Sequence, residues 1–425
     1  MTDHGEHEEH GDHGDHGDHG KDRAGLLDTL ARDPYPLYAR ARDTAGLTFV
    51  PEWDAWLVSR YEDVREVLRS PEDFSSARAL RPSVRPAPEA LAVLAEGPGG
   101  GPVVLSSDGE THQELRAPVV RGLSAARVAA VREFVTARAG SLIDAFTARD
   151  GAELMEAYAR PLPAEVICRL YGLDEAETAV ALRGSRQAEA LLFRPLPVDA
   201  QVRAARDVVA LQRLLARHVV RRRERPGDDL ISELTRALAP PDAGALSDEL
   251  LARVVSNLQN LLAAGHLTTT ALIGTVVHRL LAERSLWERL CAHPESIPEA
   301  VEEAARWGSP VQGFFRVTTR PLTLAGAQLP SGASLFVSYA AANRDPSLTA
   351  DPDTYAPSRP PTHHLAFGHG PHTCPGSSLA RTQLHTTLEL LTSRLPSLRL
   401  AAGEGVEWEQ SLIHWSPKSL AVGWD

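Results

Sequence analysis

Cysteine is scarce in this chain. Three cysteines, Cys168, Cys291 and Cys374, are spread through 425 residues. They are too few and too scattered for a disulfide framework, so a reducing, cytoplasmic setting is expected. No uninterrupted run of about 18 apolar residues is visible, and the N-terminus has no signal-peptide apolar region. A membrane-anchored protein is therefore not expected. Basic excess is also lacking. Lys and Arg total 44 against 56 Asp and Glu, a net charge of −12, and no nucleic-acid partner is expected. Apolar side chains are missing altogether between Met1 and Ala24.

That apolar-free stretch has a pattern of its own. His4, His7, His10, His13, His16 and His19 recur every third position among Gly, Asp and Glu. Residues 1–22 cannot bury enough surface to fold and read as a solvated leader, with metal affinity as an incidental property. The remaining chain, with an overall hydrophobic content of 43%, has ample material for a core. Residues 53–59 read as a strand and residues 61–69 as a short helix. Residues 77–104 read as a long loop with a helical piece, and the glycine-rich part at 96–101 as flexible. That part follows no clear strand and opens no helix, so it is no nucleotide-binding loop. From 125 to 235 helical periodicity dominates, with breaks expected at Pro161, Pro163, Pro195 and Pro197.

The most informative stretch is FGHGPHTCPG at residues 367–376. Gly368, Gly370 and Gly376 let the backbone bend and approach a flat partner without Cβ clashes. Cys374 stands just ahead of a leucine-periodic helix, whose N-terminal N–H groups and dipole favour a thiolate. A thiolate in such a loop suits axial ligation of haem iron. The stretch resembles the haem-binding loop of the cytochrome P-450 family, matching at Phe367, Gly370, His372, Cys374 and Gly376.

Further segments fit in order. His112 and Arg116 lie four apart on one helical face. They resemble the family's propionate-binding helix, with Asp108 as a candidate cap. Ser247 opens a very long apolar-periodic helix containing Ala264-Gly265-His266-Leu267-Thr268. Small residues there leave room beside the helix, and a Thr hydroxyl can bond the i−4 carbonyl. The segment resembles the family's oxygen-binding motif, which implies that Thr268 holds dioxygen and helps protonate its distal oxygen. Leu267 departs from that motif, which carries an acid at this place. Glu303 and Arg306 match the family's Glu-x-x-Arg pair, implying a buried support for the haem loop. Thr354 stands where a third member is often arginine, which leaves Arg359 as the candidate. Arg316 matches a propionate contact. Phe314, Phe315 and Ile413 resemble pocket-lining positions, with Leu267 as possible apolar lining.

The resemblance covers about residues 26–425. It implies one mainly α domain with a smaller β region over residues 23–425, the cytochrome P-450 fold, with a long central helix over the haem and a Cys-ligand loop. It implies haem b (iron protoporphyrin IX) ligated by Cys374, with His112, Arg116, Arg316 and His372 as four cations for the propionates. The activity implied is a monooxygenase of the soluble bacterial type acting on a small-molecule or peptide-like substrate in specialised metabolism. Electrons are expected from ferredoxin and ferredoxin reductase, with Arg121, Arg381 and Arg394 steering the acidic partner. The competing reading is a haem-thiolate oxidase or peroxygenase that couples or cyclises without inserting oxygen, to which the loss of an acid at Leu267 would be suited.

Overall fold

A computed structural model describes residues 29, 32–44, 46–82, 85–401, 403, 405–409 and 411–425. The His-rich segment at 1–22 lies outside the described residues. Helices dominate, and the longest, Asp248–Ala282, runs for 35 residues, roughly 50 Å at about 1.5 Å per residue. Its start is set by Ser247, whose side chain accepts the Leu250 N–H at 3.2 Å, with Asp248 and Glu249 complementing the dipole in the first turn. By length and composition this helix could cross a membrane, although polar residues such as Asn257, Gln259, Asn260 and His266 leave it no uninterrupted run of 18 apolar residues. Its apolar periodicity serves another purpose. Val254, Leu258, Leu262, Ile273, Val277 and Leu280 are buried inside the protein, in one cluster with side chains of helices Pro161–Tyr171 and Ile297–Gly308.

The smaller β region contains a five-stranded sheet. Its strand order is Leu47–Val50, Ala55–Val58, Ser334–Ser338, Gly313–Thr318 and Phe74–Ser75. Ala55–Val58 runs parallel to Ser334–Ser338, and the other pairings are antiparallel. Three short strands, Gly151–Glu153, Ala421–Gly423 and Arg399–Leu400, form a second sheet. A helical core and a sheet-side core meet at Trp307, which packs against both.

Several local expectations need correction. The strand expected over 53–59 spans only Ala55–Val58, because Pro51–Trp53 forms a 3-10 turn and Asp54 turns left-handed at φ 46°. Pro161 and Pro163 do not break a helix. They sit in the first turn of Pro161–Tyr171, where proline's missing N–H costs nothing. The interruption falls just before, at strand Gly151–Glu153 and the π-turn Met155–Ala159. The loop at 96–101 is clasped rather than loose. Cβ atoms added at Gly97 and Gly99 would lie 2.0 and 2.3 Å from Gln212, and the Gly101 N–H donates to Ser256 Oγ at 3.0 Å.

Candidate active site

The cysteine loop takes its shape from a few backbone bonds. The Cys374 N–H donates to the Phe367 carbonyl at 2.8 Å, and the Thr373 N–H to the Gly370 carbonyl at 3.0 Å. Gly368 and Gly370 have φ of +70° and +67°, where side chains are rarely tolerated. At Gly370 a Cβ would also lie 2.3 Å from the Leu68 carbonyl oxygen, so the loop can sit this close to helix Tyr61–Arg69 only as glycine. Helix Ser377–Arg394 follows immediately. Burial pushes the Cys374 thiol up from its ordinary pKa. Backbone N–H groups of Gly376 and Ser377, with Arg116 and Arg381, pull the other way without prevailing. The expected preference for thiolate is thus not met by the protein alone. Coordination to a metal deprotonates a thiol outright and would complete it.

Between the cysteine loop and the central helix lies a cavity with about 1370 Å³ of atom-free space, its mouth included. Cys374, Phe367, His372 and Gly376 line one side, Ala264, Gly265 and Thr268 the other. Thr268 Oγ1 donates to the Ala264 carbonyl at 2.9 Å. Gly265 admits the neighbouring helix, since a Cβ there would lie 2.9 Å from Ile167 Cγ1. Phe314 lines the cavity, but Leu267, Phe315 and Ile413 do not. Leu267 is a quarter-turn away from Thr268 on the helix. Phe315 is the next residue along a strand and so points the other way, towards Phe336 and beneath the Arg81 guanidinium. Ile413 is buried in the sheet-side core.

Of the four groups expected to meet carboxylates, Arg116 and His372 line the cavity, whereas His112 and Arg316 are buried and do not. The His112 and His372 rings are 4.1 Å apart between centroids. Arg116 lines the cavity and donates to the Thr373 carbonyl. Arg316 is buried, donating to the Phe315 carbonyl at 2.8 Å. Only the arginines are cations here. Burial, Arg316 and His112 push the His372 pKa down to about 3, and burial and Arg116 lower that of His112. His112 Nε2 is buried with no partner. Two charges and two neutral imidazoles, one with an idle nitrogen, fit a flat group that brings two carboxylates. Asp108 does not cap its helix, because its carboxylate is engaged by the Ser75 hydroxyl and the Ser76 N–H.

Behind the loop lies the Glu303–Arg306 pair. Arg306 Nε and Nη2 reach the two Glu303 oxygens at 2.7 and 2.8 Å, with Arg306 fully buried. Arg306 also donates to the carbonyls of Asn343, Pro352 and Thr354. Arg359 Nε completes the network at 3.3 Å from Glu303. Thr354 takes part through its carbonyl, which accepts from both arginines at 3.1 Å. Sequence reasoning overlooked Asn257, Asn260 and Gln383 in the cavity wall. Asn260 was within reach, being four and eight residues before Ala264 and Thr268 on one face. Gln383 is nine residues beyond Cys374 and carried no comparable signal.

A cysteine in the wall of a cavity that small residues and a threonine of the central helix also line, with carboxylate-binding groups beside it, defines a haem-thiolate oxidoreductase. A family model described as cytochrome P-450 matches residues 295–396. Cytochrome P-450 107B1 of Saccharopolyspora erythraea is 34% identical, covering 93% of this chain and 96% of its own length. The mycinamicin IV hydroxylase/epoxidase of Micromonospora griseorubida is 35% identical over 87% of this chain and 90% of its own. Cytochrome P-450 CREJ, solved with (4-ethylphenyl) dihydrogen phosphate, has a TM-score of 0.85 at 26% identity, covering 92% of this chain and 97% of that one. This chain belongs to the cytochrome P-450 family. Its cofactor is accordingly haem b, and its activity that of a monooxygenase.

Proposed function

We propose that residues 23–425 act as one catalytic domain that binds haem b through Cys374 and oxidises a small, mostly apolar molecule with dioxygen. The observation that carries this is the placement of Cys374 and Thr268 on opposite walls of one cavity. Bound haem supplies reductive dioxygen activation, with the thiolate favouring O–O cleavage. The protein's part is positional. Arg116 and Arg316 would neutralise the propionates, and His112 and His372 would donate hydrogen bonds to them. Thr268 spends its own proton on the Ala264 carbonyl. Its oxygen lone pairs remain to accept from a water or a protonated oxygen in the cavity. Arg306 and Glu303 hold the segment leading to the cysteine loop.

A relative named as a hydroxylase/epoxidase supports oxygen insertion as the outcome. One observation favours the second reading, coupling or cyclisation without oxygen insertion. No Asp or Glu lines the cavity among the described residues, so no carboxyl group is at hand to relay protons. Product mass separates the two. Electrons are proposed to come from a ferredoxin and its reductase in a bacterial cytoplasm, serving specialised metabolism. Arg121, Arg381 and Arg394 are each paired, with Glu233, Glu302 and Asp144. Docking of an acidic partner at these sites would therefore exchange existing partners rather than meet free cations.

The test is the absorption spectrum of the reduced, carbon monoxide-bound protein. A strongly red-shifted Soret band in wild type, lost in Cys374→Ala, is expected. Its absence from folded, haem-loaded wild type would remove the thiolate assignment.

A further inference from the structure

Two asparagines three residues apart on the central helix face the cavity, and they are used differently. Asn257 is saturated. Its Oδ1 accepts the Val104 N–H at 3.0 Å, and its Nδ2 donates to the Pro102 and Arg253 carbonyls at 2.8 Å each. It fastens the 101–105 segment that forms part of the wall. The Asn260 side chain makes no hydrogen bond among the described residues, as a half-buried carboxamide on the cavity wall. Asparagine is a poor residue for a helix interior, and this one gains no local bond in exchange. Its amide is free to pair with a ligand group that enters the cavity without first breaking a bond inside the protein.

We infer that Asn260 is the specificity-determining contact for the substrate, binding a neutral carbonyl, amide or hydroxyl group and thereby setting which carbon is oxidised. This rests on the functional reading above. Asn260, Ala264 and Thr268 follow one another at four-residue steps on the cavity face, so the carboxamide lies about 12 Å along the axis from Thr268 at ~1.5 Å per residue. A substrate held at Asn260 would present to Thr268 and Cys374 atoms roughly that far from its polar group. Much of the rest of the lining is apolar, including Leu261, Leu272, Val311 and Phe314. Arg116 is the one cation among the described lining residues, and it stands by the cysteine loop with the groups assigned to the propionates, so a charged substrate end held at Asn260 would have no counter-charge, at a large cost. The substrate class is therefore a neutral, elongated apolar molecule with one hydrogen-bonding group remote from the oxidised carbon.

The test uses haem-loaded full-length protein and dodecanamide, with dodecanoate as the charged counterpart. Calorimetric affinities are measured for wild type, Asn260→Leu and Asn260→Ala, and oxidised positions are read by mass spectrometry. Wild type should prefer dodecanamide, and both variants should bind it roughly three- to tenfold more weakly, as loss of one or two neutral hydrogen bonds implies. Oxidation should spread to more positions along the chain in both variants. Equal dodecanamide affinity in wild type and both variants would overturn the inference, as would tighter binding of dodecanoate by wild type. Calorimetry does not depend on turnover. Variant-dependent affinity in an inactive protein would uphold the Asn260 contact while counting against the functional reading. Normal turnover with unchanged affinity would overturn the contact alone.

Discussion

Arg381 joins the cysteine helix to the Glu-x-x-Arg helix through a bidentate pair with Glu302, at 2.5 and 2.8 Å, while its guanidinium lies 4.3 Å over the Phe367 ring. One side chain thus ties the ligand loop to the helix that carries its buried support. Partial burial works against the Glu302 charge, but Arg381 and His364 draw its pKa down to about 2 from 4.5. A carboxyl group with a depressed folded pKa stabilises the protein above its ordinary pKa. That contribution fades as pH falls from about 4.5 towards 2. Arg381→Gln should flatten the acid limb of the stability profile in this window and loosen cofactor retention, measured by urea melts and haem loss. An unaltered acid limb would discount the pair.

Glu303→Ala should cost about 3–5 kcal/mol, because it leaves the Arg306 cation buried without its counter-charge. Urea unfolding of the variant checks this. A loss below about 1 kcal/mol, the range of surface pairs, would show that the three carbonyls alone satisfy Arg306.

His266 is buried on the central helix, its Nε2 2.9 Å from Ser185 Oγ. Burial, helped by Arg186, pushes its pKa down to about 3 from 6.5. Here the unfolded chain binds the proton first, so stability should fall as pH drops below about 6.5. One such group contributes a slope of about 1.4 kcal/mol per pH unit. His266→Gln should reduce the measured slope by that amount between pH 6 and 4.5. An identical slope would place the His266 proton elsewhere.

Gly370→Ala should destabilise the cysteine loop by about 1–3 kcal/mol from backbone strain. The contact with the Leu68 carbonyl adds to this. The expected readout is a lower melting temperature with a larger fall in haem content. Gly326→Ala is the comparison, because Gly326 has a similar φ of +81° but nothing within 4 Å of an added Cβ. Equal losses in the two variants would assign the effect to φ alone.

What could be read from the sequence was whatever local chemistry dictates. Cys374 among its glycines, the pair Glu303 and Arg306 at helical spacing, and the long periodic helix all declare themselves within a few residues. Arg359 could be named only through the family resemblance, which implies a third member before the loop, and it does reach Glu303. Long-range electrostatics could not be read in this way. The lowered pKa of His372 comes first from burial and then from Arg316 and His112, both far away in sequence. The side a pocket residue faces was also hidden. Phe314 and Phe315 are equally apolar, and only strand pairing turns one inward.

Arg306 makes up for missing regular structure. No helix or strand is assigned between Asn343 and the 3-10 turn Gly370–His372. Carbonyls from this irregular segment instead converge on one guanidinium. Such a segment has no local hydrogen-bond ladder to form early and must await its helical template, so it should be among the last parts of the chain to order. Cofactor capture then reports on completed folding. In pulse-labelling hydrogen exchange during refolding, protection of residues 350–376 should lag behind that of the central helix, and haem should be taken up only with the slower phase.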